Sequence, residues 1–308
     1  MEKELYDIPF HARLCYEKNK GVILPEKVPY IGMGSSYFAA VVLHYLGAKI
    51  YPELAGDYYY YIRTIKQMDH AVIISQSGRT TDVVNCSTCF REYTAIVNDT
   101  SSLLANQPNL NLVVPIYAGD EKYSSTKTFI NTLIVLYLGH GFNVKNVLDS
   151  IERRFSEFER TGESIGHTLL RTIRKKKVQC INIIGSGPNV GIAYQAALML
   201  SESTRFPFVG MSMTQYEHGY KETAGKAIVI MINPSKSILY DRANRLKDVL
   251  VFAGAKVFEI CETELDEIYS PFPSILPFFF LARFLADKLG VAQPFQIGNK
   301  ITEWTDDL

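Results

Sequence analysis

The chain has 308 residues, 47% hydrophobic and 21% charged, with 32 Lys plus Arg against 32 Asp plus Glu. That length accommodates two ordinary domains, and the balanced charge argues against nucleic acid or an anionic membrane surface as partner. No apolar run reaches the roughly 20 residues of a membrane span, and the first twenty residues lack a signal-peptide core, so a cytoplasmic protein is expected.

Along the chain, a polar helical start and a connector with two prolines (residues 21–29) lead to a short strand ending in Gly32-Met33-Gly34. The spacing then predicts a helix over 35–46, a strand near 49–54 and a tyrosine-rich helix around 57–65. Next come a buried strand at 71–74, a loop at 75–80 and an amphipathic helix running from Thr81 to Tyr93. Strands at 95–97 and 112–116 and a helix over 124–138 follow. Strands alternating with helices imply βαβ units and a mainly parallel sheet between helical layers, with ligands at the carboxyl ends of the strands. Five scattered cysteines fit a reducing compartment better than a disulfide framework. Cys86 and Cys89 have the spacing of a metal knuckle, but no second pair follows. They are expected to be two buried thiols on neighbouring helical turns.

The loop Ser75-Gln76-Ser77-Gly78-Arg79-Thr80 carries the clearest chemistry. Three hydroxyls and a glycine between a strand's end and a helix start offer hydroxyl and backbone donors to an anion, as a phosphate cradle does. Taken alone, an ordinary Ser/Thr-rich βα turn fits equally well.

Residues 143–177 read as a helical linker ending in a basic, solvated helix terminus, after which the pattern repeats. Cys180 to Gly187 matches the first glycine-ended strand, the helix from Asn189 matches the one after it, and the strand 227–232 with its loop 233–237 stands where 71–80 stood. Two copies of one αβα domain are expected, and only the first keeps the Ser-Gln-Ser-Gly-x-Thr loop. The Gly32-x-Gly34 and Gly185-x-Gly187 turns lack the third glycine of a dinucleotide fingerprint, so no nicotinamide site is expected.

Gly34-Ser35-Ser36-Tyr37, the Ser75–Asp82 loop and Ser125-Thr126-Lys127 resemble the first sugar isomerase (SIS) domain of the isomerase half of glucosamine-6-phosphate synthase. The helix carrying Ile192-Ala193, Ala196-Ala197-Leu198, Leu200 and Glu202 resembles the catalytic helix of that family. Glu217-His218-Gly219 resembles its histidine turn, and Gln293-Pro294 with Asn299-Lys300 its C-terminal loop. The resemblance implies an α/β fold of two tandem SIS domains, each a mainly parallel sheet in an αβα sandwich. Its expected layout is an N-terminal helical segment (1–26), a phosphate-binding SIS domain (27–142), the linker (143–177), a second SIS domain (178–290) and a catalytic tail (291–308).

The resemblance further implies that Ser36, Ser75, Gln76, Ser77 and Thr80 hold a sugar phosphate, with Ser125, Gln195 and Met199 also lining the substrate. Glu202 is implied as the base that moves a proton between C1 and C2, His218 as the ring-opening residue supplied across a homodimer interface, and Lys300 as the Schiff-base lysine. No metal or cofactor is implied. The synthase typically has Glu and Lys where this chain has Gln195 and Met199, on one helical face with Glu202, so a simpler proton relay is expected. The chain opens Met1-Glu2-Lys3 without an N-terminal cysteine or glutaminase module, so glutamine is not expected as its nitrogen source. A glucosamine-6-phosphate deaminase is therefore expected, with an aldose–ketose isomerase or an ammonia-dependent synthase as alternatives. A non-catalytic sugar-phosphate sensor is the alternative from another class. Retention of Glu202, His218 and Lys300 favours the enzyme.

Overall fold

Runs rich in β-branched residues, Ala71–Ile74 and Ala227–Ile232, lie in the middle of two parallel sheets, where burial on both faces requires continuous hydrophobicity. The computed structural model describes residues 2–65, 67–175, 179–293, 295 and 297. They divide into two compact units, one of the described residues among 6–145 with 295 and 297, the other of those among 146–293 with 2–5.

The N-terminal stretch forms α1 (Glu2–Tyr6) and α2 (Ile8–Lys18), followed by β1 (Pro29–Gly32), α3 (Ser35–Tyr45), β2 (Tyr51–Leu54), α4 (Ala55–Tyr60), β3 (His70–Ser75), α5 (Thr81–Ser87), β4 (Glu92–Val97), β5 (Leu110–Pro115) and α6 (Lys127–Gly139). Among the described residues the sheet has five parallel strands in the order β2-β1-β3-β4-β5. Alternation along the strands sends Ile31, Ile73, Ala95 and Val97 to one face, where Tyr58 of α4 and Val83 and Cys86 of α5 cover them. Helices α2, α3 and α6 pack together on the other face.

The expected helix to Tyr93 is shorter. α5 stops at Ser87, and Tyr93 belongs to β4, which pairs with β3 residue for residue from His70↔Glu92 to Ser75↔Val97. The β-forming run Tyr93-Thr94-Ala95-Ile96-Val97 gains a buried ladder there, which outweighs its helical spacing. The thiol expectation changes with it. Cys86 is buried and donates to the Ala55 carbonyl at 3.0 Å, whereas Cys89 lies beyond the helix and half-exposed, 3.6 Å from Arg63 Nη1.

The presumed linker is one 30-residue helix, α7 (Lys145–Arg174), with Val147, Leu148, Ile151 and Phe158 buried. Of the basic run that follows, Lys176 and Lys177 lie outside the described residues. The chain continues with β6 (Cys180–Gly185), α8 (Asn189–Thr204), β7 (Phe208–Ser212), α9 (Met213–His218), β8 (Ala227–Ile232), α10 (Tyr240–Phe252), β9 (Lys256–Ile260) and α11 (Pro271–Leu289). The second sheet runs β7-β6-β8-β9, all parallel, so the first four strands of each half occur in the same order. Tyr216 of α9 and Ala243, Leu246 and Leu250 of α10 cover one face. α8 packs against α11, and α11 in turn presses on α7, where a Cβ on Gly162 would stand 2.3 Å from the Pro277 carbonyl oxygen.

Candidate functional site

In the N-terminal unit the helices that follow the adjacent strands β1 and β3 leave for opposite faces of the sheet. This switch opens a crevice at the strands' carboxyl ends, the usual ligand position in such sheets. The Gly34 turn and the Ser75–Thr80 loop flank it. Ser36 is the second residue of α3, half-buried, and its N–H donates to Met33 O at 3.1 Å.

The loop is organised by its own donors. Gly78 N–H donates to Ser75 Oγ at 3.1 Å, and Arg79 N–H to Ser77 Oγ at 3.3 Å. Each serine therefore accepts a bond from the backbone and keeps its own O–H proton to donate. Thr80 is the N-cap residue of α5 in extended conformation, and its side chain makes no capping bond. Because α5 has only 7 residues, its dipole is a modest contribution and the hydroxyls and amides of the loop dominate. Gly78 has φ +61°, and a Cβ there would lie 2.0 Å from Ser102 Oγ, so both backbone conformation and space demand glycine. Arg79 is exposed and pairs with Asp99 Oδ2 at 3.0 Å. Hydrogen bonds from Ser101 and the Arg79 guanidinium hold the Asp99 carboxyl below its usual range. A cleft of about 720 Å³ opens beside the loop, lined by Gln76, Asn98, Asp99, Tyr117 and Glu121 among others.

Ser125 stands just before α6, and its Oγ lies 2.6 Å from Thr128 Oγ1. The residue behind that arrangement, Glu121, is missed by sequence reasoning. Glu121 Oε1 accepts from Thr126 N at 2.9 Å, Thr126 Oγ1 at 2.7 Å and Lys127 N at 2.8 Å, while Oε2 accepts from the Thr128 hydroxyl. It thus supplies the carboxylate that the first amides of a 13-residue helix call for. Burial pushes its carboxyl above the usual range, against the lowering effect of those bonds. The preceding turn is held by Asn98, whose Nδ2 donates to Gly119 O at 2.9 Å and whose Oδ1 accepts from Ala118 N at 2.8 Å. A glutamate a few residues ahead of a Ser-Thr-Lys helix start is the signal that points to this cap.

Gln195, Met199, Glu202 and His218 belong to the C-terminal unit. α8 carries Gln195 and Met199, each 1% exposed, and Glu202 one turn further on, half-buried. His218 is the last residue of α9, exposed, on a short helix capped by Ser212, whose Oγ accepts from Gln215 N–H at 3.2 Å. Pro294, Asn299 and Lys300 lie outside the described residues. The loop thus brings Ser75, Gln76, Ser77 and Thr80 together on one segment, while Glu202 and His218 sit on separate elements of the other unit. Among the described residues no group of three His, Cys, Asp or Glu side chains is arranged to hold a metal, and no helix is long and apolar enough to cross a membrane.

Two parallel sheets of shared strand order, each between helical layers, make a double α/β sandwich. The crystal structure of glucosamine-6-phosphate deaminase from Thermotoga maritima superposes with a TM-score of 0.75 at 22% identity, covering 95% of each chain. In sequence, the chain is 26% identical over 268 residues to the glutamine–fructose-6-phosphate aminotransferase of Sulfolobus acidocaldarius, covering 81% of this chain and 45% of the relative. It is likewise 26% identical over 332 residues to that of Thermococcus kodakarensis, covering 93% and 54%. The chain therefore spans about half the length of the curated relatives it matches. No protein-family model matches it.

Proposed function

We propose that this protein is an enzyme of sugar phosphates that deaminates glucosamine 6-phosphate to fructose 6-phosphate and ammonia. The observation that carries this reading is the Ser75–Thr80 loop at a sheet switch point, whose two serine hydroxyls accept from the loop's own amides and so keep their own protons to donate. Similarity in sequence to aminotransferases acting with fructose 6-phosphate, and in fold to a glucosamine-6-phosphate deaminase of nearly equal coverage, supports the choice of substrate. In this reading Ser36, Ser75, Gln76, Ser77 and Thr80 anchor the phosphate, and Ser125, Gln195 and Met199 line the sugar. His218 assists ring opening and Glu202 moves the proton between C1 and C2. The proton shift from C2 to C1 leaves an imine at C2, the Lys300 amine displaces ammonia from it, and water then hydrolyses the lysine imine to fructose 6-phosphate and free Lys300.

A direct test of the cradle is an equilibrium titration. Ser77→Ala or Thr80→Val removes a hydrogen bond to a charged group, worth about 1.5–3 kcal/mol. Binding of glucosamine 6-phosphate should weaken about ten- to hundred-fold, at about 1.4 kcal/mol per decade. Glucosamine itself should bind the variants and the wild type alike, and equal losses for both sugars would contradict the cradle.

The reading includes a homodimer in which His218 acts in its partner's site. Mixing two inactive chains, one His218→Ala and one Glu202→Gln, should then restore activity, because a hybrid contains one site with neither substitution. With subunit exchange verified by mass, an inactive mixture would assign His218 to its own chain.

A further inference from the structure

The two units share more than strand order. Gly34 after β1 and Gly187 after β6 both take positive φ, 49° and 52°. The loops after β3 and β8 each carry a cation paired with an acid from the segment beyond the next strand, Arg79 with Asp99 at 3.0 Å and Lys236 with Asp266 at 3.1 Å. That segment is itself matched. Asp99 Oδ1 accepts from Ser101 N–H at 2.9 Å, as Glu262 Oε1 accepts from Glu264 N–H at 2.7 Å, and each segment runs into a 3-10 turn, Leu104–Asn106 in one unit and Glu267–Tyr269 in the other. The residue that opens this turn is where the copies part, leucine in the first and glutamate in the second.

Glu267 folds back into the crevice of its own unit, whose flanks are the Gly187 turn and the loop after β8. Its Oε1 accepts from the Ser237 hydroxyl at 2.6 Å, and its Oε2 from the Ile238 N–H at 3.2 Å. A Cβ on Gly187 would stand 3.4 Å from that same Oε1, so the carboxylate lies against the turn as well as the loop. An anion is therefore already seated between the two segments, held by one hydroxyl and one backbone amide. Those are the donor types that the Ser75–Thr80 loop presents. In the N-terminal unit, Leu104 brings no charge to this position, and its N–H is spent on Gly78 O at 3.0 Å.

We propose that residues 233–239 form a second anion cradle, occupied from within by the Glu267 carboxylate, and that removing this carboxylate opens the cradle to inorganic phosphate or a phosphomonoester. The comparison of the two loops rests on the phosphate reading of Ser75–Thr80, but the seated carboxylate and its donors stand without it. One side chain then decides that a chain with two copies of the fold takes one phosphate rather than two.

Calorimetric titration with inorganic phosphate tests this in four proteins: wild type, Ser77→Ala/Thr80→Val, Glu267→Ala and the triple combination. The expected numbers of sites per chain are one, none, two and one. Adding Ser237→Ala to Glu267→Ala should weaken the new site about ten-fold, as loss of one hydrogen bond to an anion does. Failure of the N-terminal assignment appears as a wild type without a site, whatever the Glu267 variant does. If Glu267→Ala is too unstable to titrate, phosphate should raise its thermal midpoint more than it raises that of wild type, because only the variant gains a site on the folded chain. Neither an extra site nor an extra rise, in Glu267→Ala and in the isosteric Glu267→Gln alike, overturns the proposal.

Discussion

Glu202→Gln should abolish turnover of glucosamine 6-phosphate while leaving its affinity nearly unchanged. The amide keeps the shape and most hydrogen-bonding capacity of the carboxylate, but it cannot take a proton at neutral pH, and a positioned general base is worth about 10²- to 10⁴-fold in rate. The position suits such a role: α8 buries Gln195 and Met199 on the turns before Glu202, which fixes the helix, and leaves Glu202 itself half-buried near its end. The check is kcat together with a dissociation constant measured without turnover. A variant that keeps wild-type kcat, or that loses binding in proportion to rate, removes Glu202 from the base role.

Gly78→Ala should collapse the cradle. Holding a non-glycine residue in the left-handed region costs about 1–2 kcal/mol. The new methyl would also overlap Ser102, whose Oγ and Cβ lie 2.0 and 2.5 Å from the ideal Cβ position. Ser102 is fully buried, so the loop has to move, and with it the hydroxyls of Ser75 and Ser77 that Gly78 and Arg79 orient. Phosphorylated sugars should bind at least about ten-fold more weakly, as expected when at least one hydrogen bond to a charged group is lost. Part of that loss should return in Gly78→Ala/Ser102→Gly, which removes the overlapping side chain but not the backbone strain. Full affinity in Gly78→Ala would mean that the loop does not hold the phosphate in this conformation.

Strand and helix order is legible from the sequence because buried parallel strands read as short β-branched runs and their covering helices as periodic ones. The internal repeat is legible for the same reason, and both sheets keep one strand order. The length of α5 is not legible. Phe90 and Tyr93 continue the apolar spacing of the preceding helix, and only pairing with His70–Ser75, more than a dozen residues away, starts the strand at Glu92 rather than at Ala95. The hydroxyls of the candidate site can be read from the motif, since they lie on one contiguous loop. The groups that support them cannot. Ser102 beneath Gly78, Glu121 at the start of α6 and Glu267 over Ser237 act across gaps of sequence that only the folded chain closes. Each is a carboxylate or hydroxyl of ordinary appearance in its local sequence.

The central claim is that a sugar phosphate is held by Ser75–Thr80 and loses its amino group in this protein. The most direct measurement supplies purified wild-type protein with glucosamine 6-phosphate and follows ammonia and fructose 6-phosphate together. Both products should appear at equal rates, and Ser77→Ala should raise KM for the reaction. Interconversion of glucose 6-phosphate and fructose 6-phosphate, with no ammonia from glucosamine 6-phosphate, would contradict the deaminase and leave an isomerase.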